Sequence, residues 1–339
     1  MNKNPTVSVV MITYNHEKFI KEAIHGVLIQ YCDFDIEFII ANDKSTDSTD
    51  EVITKYLNQL NIPDYINIEY IKNKENKGMI PNFVWGLQHA SGKYIALCEG
   101  DDYWTDQLKL QKQVDFLEKN PNLIACHHWQ KIARQVDGEF VEVDAPRKGH
   151  GYYSKPIASV QEIFSNKVRI KTRTNMFRNN IDLSLFTKYF DGVAFGDVPL
   201  SFILGKYGDF GFIDEEMAVY RLTGKGVSTS GLKTLGTKKF KIQHFKNWID
   251  IWDKADYFYN YQYHKEAKQT ISFFYDKIIS NIDFSFKSYF SLIYYNTFSR
   301  KSSIVKSFFH FIYISRHFIR KLGVKLKRKI KRKIVETAL

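Results

Sequence analysis

Short apolar runs rich in β-branched residues alternate with stretches of helical period through the first 125 residues. VSVVMI (7–12), IEFII (36–40), INIEYI (66–71) and YIALC (94–98) have the length and composition of strands. Between the first two, Phe19, Ile20, Ala23, Ile24, Val27 and Leu28 mark one face of a helix, with Asn15 placed to cap its start. Ser48 and Glu51 have capping-box spacing ahead of the stripe Val52, Ile53, Tyr56, Leu57 and Leu60. Pro81 opens a third helix through Phe83, Val84 and Leu87, which Gly92 closes, and Thr105 and Asp106 precede the stripe Leu108, Leu110, Val114 and Leu117 of a fourth. Alternation of this kind predicts an α/β fold, with a mainly parallel sheet covered by helices on both faces.

Further along, the pattern is less regular. Strand-like pieces lie at 168–177 and 210–221, and a helix begins near Asp197. Beyond 238 the chain reads as helical and rich in Phe, Tyr and Lys. The expected organisation is an α/β domain over 1–235, a helical extension over 236–300 and a basic amphipathic tail over 301–339.

Sheets of this class bind ligands beyond the carboxyl ends of their strands. Thr13, Tyr14 and Asn15 follow the first strand and Asn42 and Asp43 the second. Asn76 and Gly78 follow the third, and Glu99, Asp101 and Asp102 the fourth, so all point to one crevice. In LCEGDDYW (97–104) three carboxylates fall within four positions. Such groups repel one another unless a cation sits between them, and hard oxygen ligands suit Mg²⁺ or Mn²⁺, ions that commonly enter with a phosphate. The competing reading is a solvated acidic turn that caps the next helix.

The runs VSVVMITYNHEKFIKEAI, EFIIANDKSTDSTDEV and NKENKGMIPNFVWGLQHASGKYIALCEGDDYW, in that order and spacing, resemble the family 2 glycosyltransferases of the GT-A fold (a Rossmann-like sheet), specifically bacterial ones that build surface polysaccharides. The resemblance is clear over residues 5 to about 120 and weaker to about 230. It implies that the acidic stretch is the family's DxD motif, with Glu99 in place of the first aspartate, offering oxygens to the metal or binding donor ribose or sugar instead, Asp101 as metal ligand and Asp102 assisting or binding the donor sugar. It implies that Thr13, Tyr14, Asn15 and Asp43 hold the nucleotide of a sugar nucleotide, UDP being the expected carrier, although Lys44 stands where relatives often have glycine. Asn76 and Gly78 resemble a donor-contacting loop. AFGDVPLSFILGKYG makes Asp197 the expected catalytic base, and a helix cap is its other role. AVYRLTGKGVS resembles the segment that closes over the diphosphate, with Arg221 and Lys225 offsetting phosphate charge and Thr223 where relatives often have histidine. IKTRTNMFR (170–178) would line the acceptor side, with Arg173 or Arg178 meeting an acceptor phosphate, the other reading being an exposed strand with solvated arginines. The implied reaction is inverting transfer to a hydroxyl of a glycan or lipid-linked acceptor. Two other classes stay open, a nucleotide-sugar-binding membrane scaffold without turnover and a metal-dependent phosphate-ester hydrolase.

Charge changes the picture only at one end. The net charge is +12, yet residues 315–339 hold ten Lys and Arg against one Glu, which leaves the preceding body near neutral. The tail alternates bulky apolar and basic residues, fits an anionic membrane surface and has no accompanying nucleic-acid recognition fold, so no nucleic-acid partner is expected. Three cysteines without a CxxC pair, together with an N-terminal apolar run of six residues, suit a cytoplasmic protein lying on the inner face of the cytoplasmic membrane. Asp209-Phe210-Gly211 lacks the other kinase motifs, and no Walker A or GxGxxG occurs. His127 and His128 are adjacent on a strand and face opposite ways, which favours packing over metal binding.

Overall fold

The computed structural model describes residues 5–146, 155–223, 235–282, 285–296, 310–320 and 322–323. Its contacts divide the chain into two compact units, Met1–Ser230 and Gly231–Leu339.

The first unit is mixed α/β. β1 (Val7–Thr13), α1 (Ile20–Leu28), β2 (Ile36–Asn42), α2 (Thr49–Asn58), β3 (Ile66–Lys72), α3 (Met79–His89) and β4 (Tyr94–Glu99) alternate as the periodicity requires. β5 (Tyr103–Trp104), α4 (Lys109–Lys119), β6 (Leu123–Val136), β7 (Glu139–Asp144), β8 (Ile157–Ala158) and α5 (Val160–Phe164) follow. β9 (Met176–Arg178), α6 (Ser184–Phe190), α7 (Asp197–Leu204) and β10 (Asp209–Arg221) complete the unit. The sheet runs β3-β2-β1-β4-β9-β6-β10-β5, with β7 on β6 and β8 on β10. β1 to β4 are parallel, as are β6 and β10, while β9 is antiparallel to both β4 and β6.

β1 sits between β2 and β4, so the chain builds the sheet in one direction from β1 and then in the other. The carboxyl ends of β1 and β4 therefore flank the crevice where strand order reverses, the place where such sheets hold ligands. Helix α1 buries Ile20, Ala23, Ile24 and Val27 against the β1 core residues Val7, Val9 and Met11. Full burial of such side chains contributes roughly 1.5–3 kcal/mol each.

Several local expectations give way to longer-range contacts. Asn15 does not cap α1, which starts at Ile20 without a side-chain cap. Asn15 adopts φ 57° and its Oδ1 accepts from the N–H groups of Thr46 and Asp47. Ser48 makes no capping bond either; the Asp47 carboxylate accepts from the Thr49 and Glu17 N–H groups instead. Gly92 lies beyond the end of α3, where a Cβ would sit 2.6 Å from the Ser8 nitrogen, so close backbone approach rather than helix termination requires it there. The 168–177 run yields only the short β9, because Thr172–Thr174 turn as a 3-10 helix that presents the Arg173 carbonyl to the indole N–H of Trp104.

The second unit is helical, with α8 (Thr237–Phe258), α9 (His264–Asn281), α10 (Phe286–Tyr294) and a further helix over 310–320. Trp248, Trp252 and Phe274 form its aromatic centre, with ring centroids 5.4–6.2 Å apart. Among the described residues no helix is long and apolar enough to cross a membrane.

Candidate active site

The site begins with a glycine. A Cβ on Gly100 would lie 2.6 Å from Thr13 Oγ1 and 2.9 Å from His16 Nδ1, so only glycine lets the turn after β4 approach the end of β1. The Gly100 N–H donates to the Ile12 carbonyl at 3.0 Å. This approach places Asp101 Oδ2 3.8 Å from His16 Nε2, while His16 Nδ1 lies 3.1 Å from Thr13 Oγ1. Burial pushes the His16 imidazole down to about 4, which leaves it neutral near pH 7 and unable to compensate Asp101.

Arg173 holds the other side of the acidic turn. Its Nε pairs with the Asp102 carboxylate, its Nη2 stands 3.8 Å from Glu99 Oε2 and its Nη1 donates to Gln130 Oε1 at 2.9 Å. The guanidinium lies over the Tyr220 ring, 4.3 Å from the centroid. Asp102 is 1% exposed, and its second oxygen accepts from the Arg221 N–H at 2.8 Å. Both of its oxygens are thus used inside the protein, and it ties the end of β10 to the acidic turn.

Burial, reinforced by mutual repulsion, raises all three carboxyls. Glu99 reaches about 7, with Asp102 and Asp197 adding to the rise against Arg173, and Asp101 reaches about 6, pushed further by Glu99. Asp102 also reaches about 6, again from burial first, with Asp101 adding to it. Glu99 Oε2 is buried without a hydrogen-bond partner. Three carboxyl groups face Arg173, and Arg221, whose charge also lowers Asp101, is paired with Glu22, so the turn stays short of positive charge. Among the described residues, no three His, Cys, Asp or Glu side chains are arranged to enclose a metal by themselves. An orphaned Glu99 oxygen beside Asp101 fits Mg²⁺ or Mn²⁺, which take one or two carboxylates and complete their shells with phosphate and water.

The residues expected on the nucleotide side form one hydrogen-bonded unit. Asp43, 3% exposed, accepts from Asn73 Nδ2 and the Lys77 N–H on one oxygen and from the Gly78 N–H on the other, at 2.8–2.9 Å. Asn76 Nδ2 donates to the Asp43 carbonyl at 2.9 Å, and Gly78, at φ 88°, precedes α3. Asp43, Asn76 and Gly78 therefore shape the loop between β3 and α3 together. Tyr14 is 43% exposed, and Asn15 links this edge to Ser45 through its N–H. Asp197 opens α7, with Oδ1 accepting from the Val198 N–H at 2.9 Å. It raises Glu99 on one side and Lys171 on the other, where burial holds the ammonium down near 7.

Two arginines differ from expectation. Arg221, 4% exposed, donates to the Asp101 carbonyl at 2.7 Å, pairs with Glu22 and lies over the Tyr103 ring at 4.5 Å, so its charge is committed within the fold. Arg178 donates to the carbonyls of Leu123 and Leu117 and to Tyr94 Oη, which makes it a brace between β9 and α4. Lys225 lies outside the described residues. Sequence reading missed His16 as a neighbour of Asp101 and Arg173 as the partner of Asp102. The only signal was position: His16 shares the TYNH run with the predicted nucleotide residues.

The family model of glycosyl transferase family 2 matches residues 8–176, the span from β1 to the start of β9. The chain belongs to this family. An uncharacterized protein of Mycobacterium tuberculosis (strain ATCC 25618 / H37Rv) is 33% identical over 228 residues, which is 65% of this chain and 60% of that protein. The chain thus spans less than two thirds of the mycobacterial relatives it matches. TuaG of Bacillus subtilis (strain 168), whose name assigns it to teichuronic acid biosynthesis as a glycosyltransferase, is 34% identical over 116 residues, 34% of this chain and 43% of TuaG. A mannosyltransferase of Pyrobaculum calidifontis, solved with GDP-Man and Mn²⁺, shares the fold at TM-score 0.55 and 13% identity, covering 96% of this chain and 87% of that one. The architecture of this family 2 chain is accordingly the GT-A arrangement with a helical C-terminal region.

Proposed function

We propose that this chain is a nucleotide-sugar glycosyltransferase acting on a hydroxyl of a glycan or lipid-linked acceptor in bacterial surface polysaccharide synthesis. The observation that carries the reading is the Glu99–Asp101 pair, short of positive charge, at the β1/β4 switch point of a family 2 domain. The loop held by Asp43, with Tyr14 beside the end of β1, suits the nucleoside. UDP is the carrier proposed, and the GDP-Man bound to the archaeal neighbour makes GDP-sugars the first alternative to include.

In this mechanism Asp101, with Glu99, would hold Mg²⁺ or Mn²⁺, which would supply positive charge to the departing nucleoside diphosphate. Asp197 accepts the proton of the acceptor hydroxyl as that oxygen attacks the anomeric carbon, and a single displacement of this kind inverts configuration. Asp102 and Arg173 keep the acidic turn in place. Lys171, held down near 7 by burial, is close enough to Asp197 to feel its charge. The basic C-terminal region places the protein on the cytoplasmic membrane's inner face, near lipid-linked acceptors.

The test is release of nucleoside diphosphate from a panel of UDP- and GDP-sugars, with membrane extract supplying acceptors. Release with one donor, abolished by EDTA and by Asp101→Ala, is expected. Donor binding without release from any sugar nucleotide would favour the scaffold reading, and phosphate release from simple esters would favour a hydrolase.

A further inference from the structure

α10 carries apolar residues over more than half of its circumference, with Lys287, Ser288 and Ser291 on the rest, yet only part of that apolar arc is buried. Leu292 is 4% exposed, and Tyr289 packs on Phe318 with ring centroids 4.5 Å apart and its hydroxyl 2.8 Å from Ser315 Oγ. Along the adjoining edge Phe286, whose ring meets Phe318 with centroids 5.8 Å apart, and Phe290, one turn on, are still 65% and 63% exposed, and Tyr294 continues the stripe at 63%. Ile319, next to Phe318 on the neighbouring helix, is 66% exposed. A row of large rings held in water marks a surface that meets something apolar.

Charge indicates what that is. Between Asp283 and Glu336 the sequence holds fourteen Lys and Arg and no acidic residue, and Lys287, Arg316 and Arg320 are exposed. A second copy of this chain would bring the same positive charge to the contact. An anionic bilayer offers phosphates to the basic residues and an apolar layer to the rings, and aromatic side chains favour that boundary.

We propose that α10 is an interfacial anchor whose Phe286 and Phe290 face enters the headgroup boundary of an anionic phospholipid bilayer. The inference rests on the membrane-surface reading above and deepens it, because a basic tail alone binds by charge and needs no exposed rings. Electrostatic attachment weakens as salt shortens the Debye length, whereas ring insertion does not.

The experiment is flotation of the full chain with vesicles of phosphatidylglycerol and phosphatidylcholine, in about 0.1 M and about 0.5 M NaCl. Wild type is expected to float at both salts, and F286S/F290S to lose at least about tenfold in partitioning at the higher salt while keeping most of its binding at the lower. A polarity-sensitive dye on Phe290→Cys, selective because Cys32, Cys98 and Cys126 are buried, is expected to shift to the blue on these vesicles. Unchanged far-UV circular dichroism and donor turnover show that the variants are folded. Equal flotation of F286S/F290S and wild type at both salts, or an unshifted dye, would overturn the inference while leaving the basic region as the membrane contact. Wild type that stays in solution at both salts would overturn both readings. A change of oligomeric state in F286S/F290S with flotation unaltered would make the face a contact between copies, and the inference would fall.

Discussion

Gly100 decides whether the acidic turn can exist. Its missing Cβ is what lets Asp101 reach His16, and Gly100→Ala would force the atoms of Thr13 and His16 apart. Overpacking of this kind costs about 1–3 kcal/mol. The expected result is a lower urea midpoint together with lost donor binding, measured by denaturation and by nucleotide titration. Arg173 carries a larger penalty. Arg173→Met strands Asp102 at 1% exposure without its partner, and breaking a buried pair from one side costs roughly 3–5 kcal/mol. Asp197→Asn differs from both, because its carboxamide can still accept from Val198. It should leave stability and donor affinity near wild type while kcat falls about 10²–10⁴-fold, the range for removal of a general base, as read by steady-state kinetics. Of these residues, Asp101 and Asp197 were nominated from the sequence. The need for glycine at 100, the contact of His16 and the pairing of Arg173 with Asp102 were not, because they depend on contacts across the sheet that no spacing encodes.

At the scale of elements, the alternation of strand and helix was readable because each run is short and buried on a defined face. Caps were misread where a distant partner took over, as Asn15 did with the loop before α2 and Asp47 did with the Glu17 N–H. The reach of Asp43 into the β3–α3 loop belongs to the same class. Asp43→Ala leaves the Lys77 N–H without its acceptor and the Gly78 N–H with only Asn76 Oδ1, and hydrogen exchange should rise most at Lys77 while β2 amides stay protected. Helix α4 contributes a pH signature. Lys109, at its start, is fully buried, lies 3.9 Å over the Trp104 ring and donates to Gln113 Oε1, and burial lowers its ammonium to about 7. The unfolded chain keeps that proton up to the ordinary lysine range, so between about pH 7 and 9 it binds more protons than the folded chain and stability rises with pH. Chemical denaturation at several pH values should show this rise, on the order of a few kcal/mol, and Lys109→Met should flatten it.

Over the whole molecule, charge and chemistry are segregated. The described candidate site residues all lie in the first unit, whereas the excess positive charge lies in the second, beyond residue 283. A net charge of +12 therefore says little about the crevice, which is itself acidic. In the proposed mechanism cation and diphosphate would be mutually dependent ligands, because two carboxylates alone offer Mn²⁺ too few oxygens and diphosphate without a cation would face those carboxylates directly. Linkage requires that each raise the affinity of the other by the same factor. The most direct measurement is Mn²⁺ binding, followed by electron paramagnetic resonance of the free ion, with and without UDP or GDP, in wild type and Asp101→Ala. Tight Mn²⁺ binding that needs one of the nucleoside diphosphates and disappears in Asp101→Ala is the predicted result. Mn²⁺ binding indifferent to both nucleotides, or unchanged in Asp101→Ala, would contradict a donor and cation site built on the turn after β4.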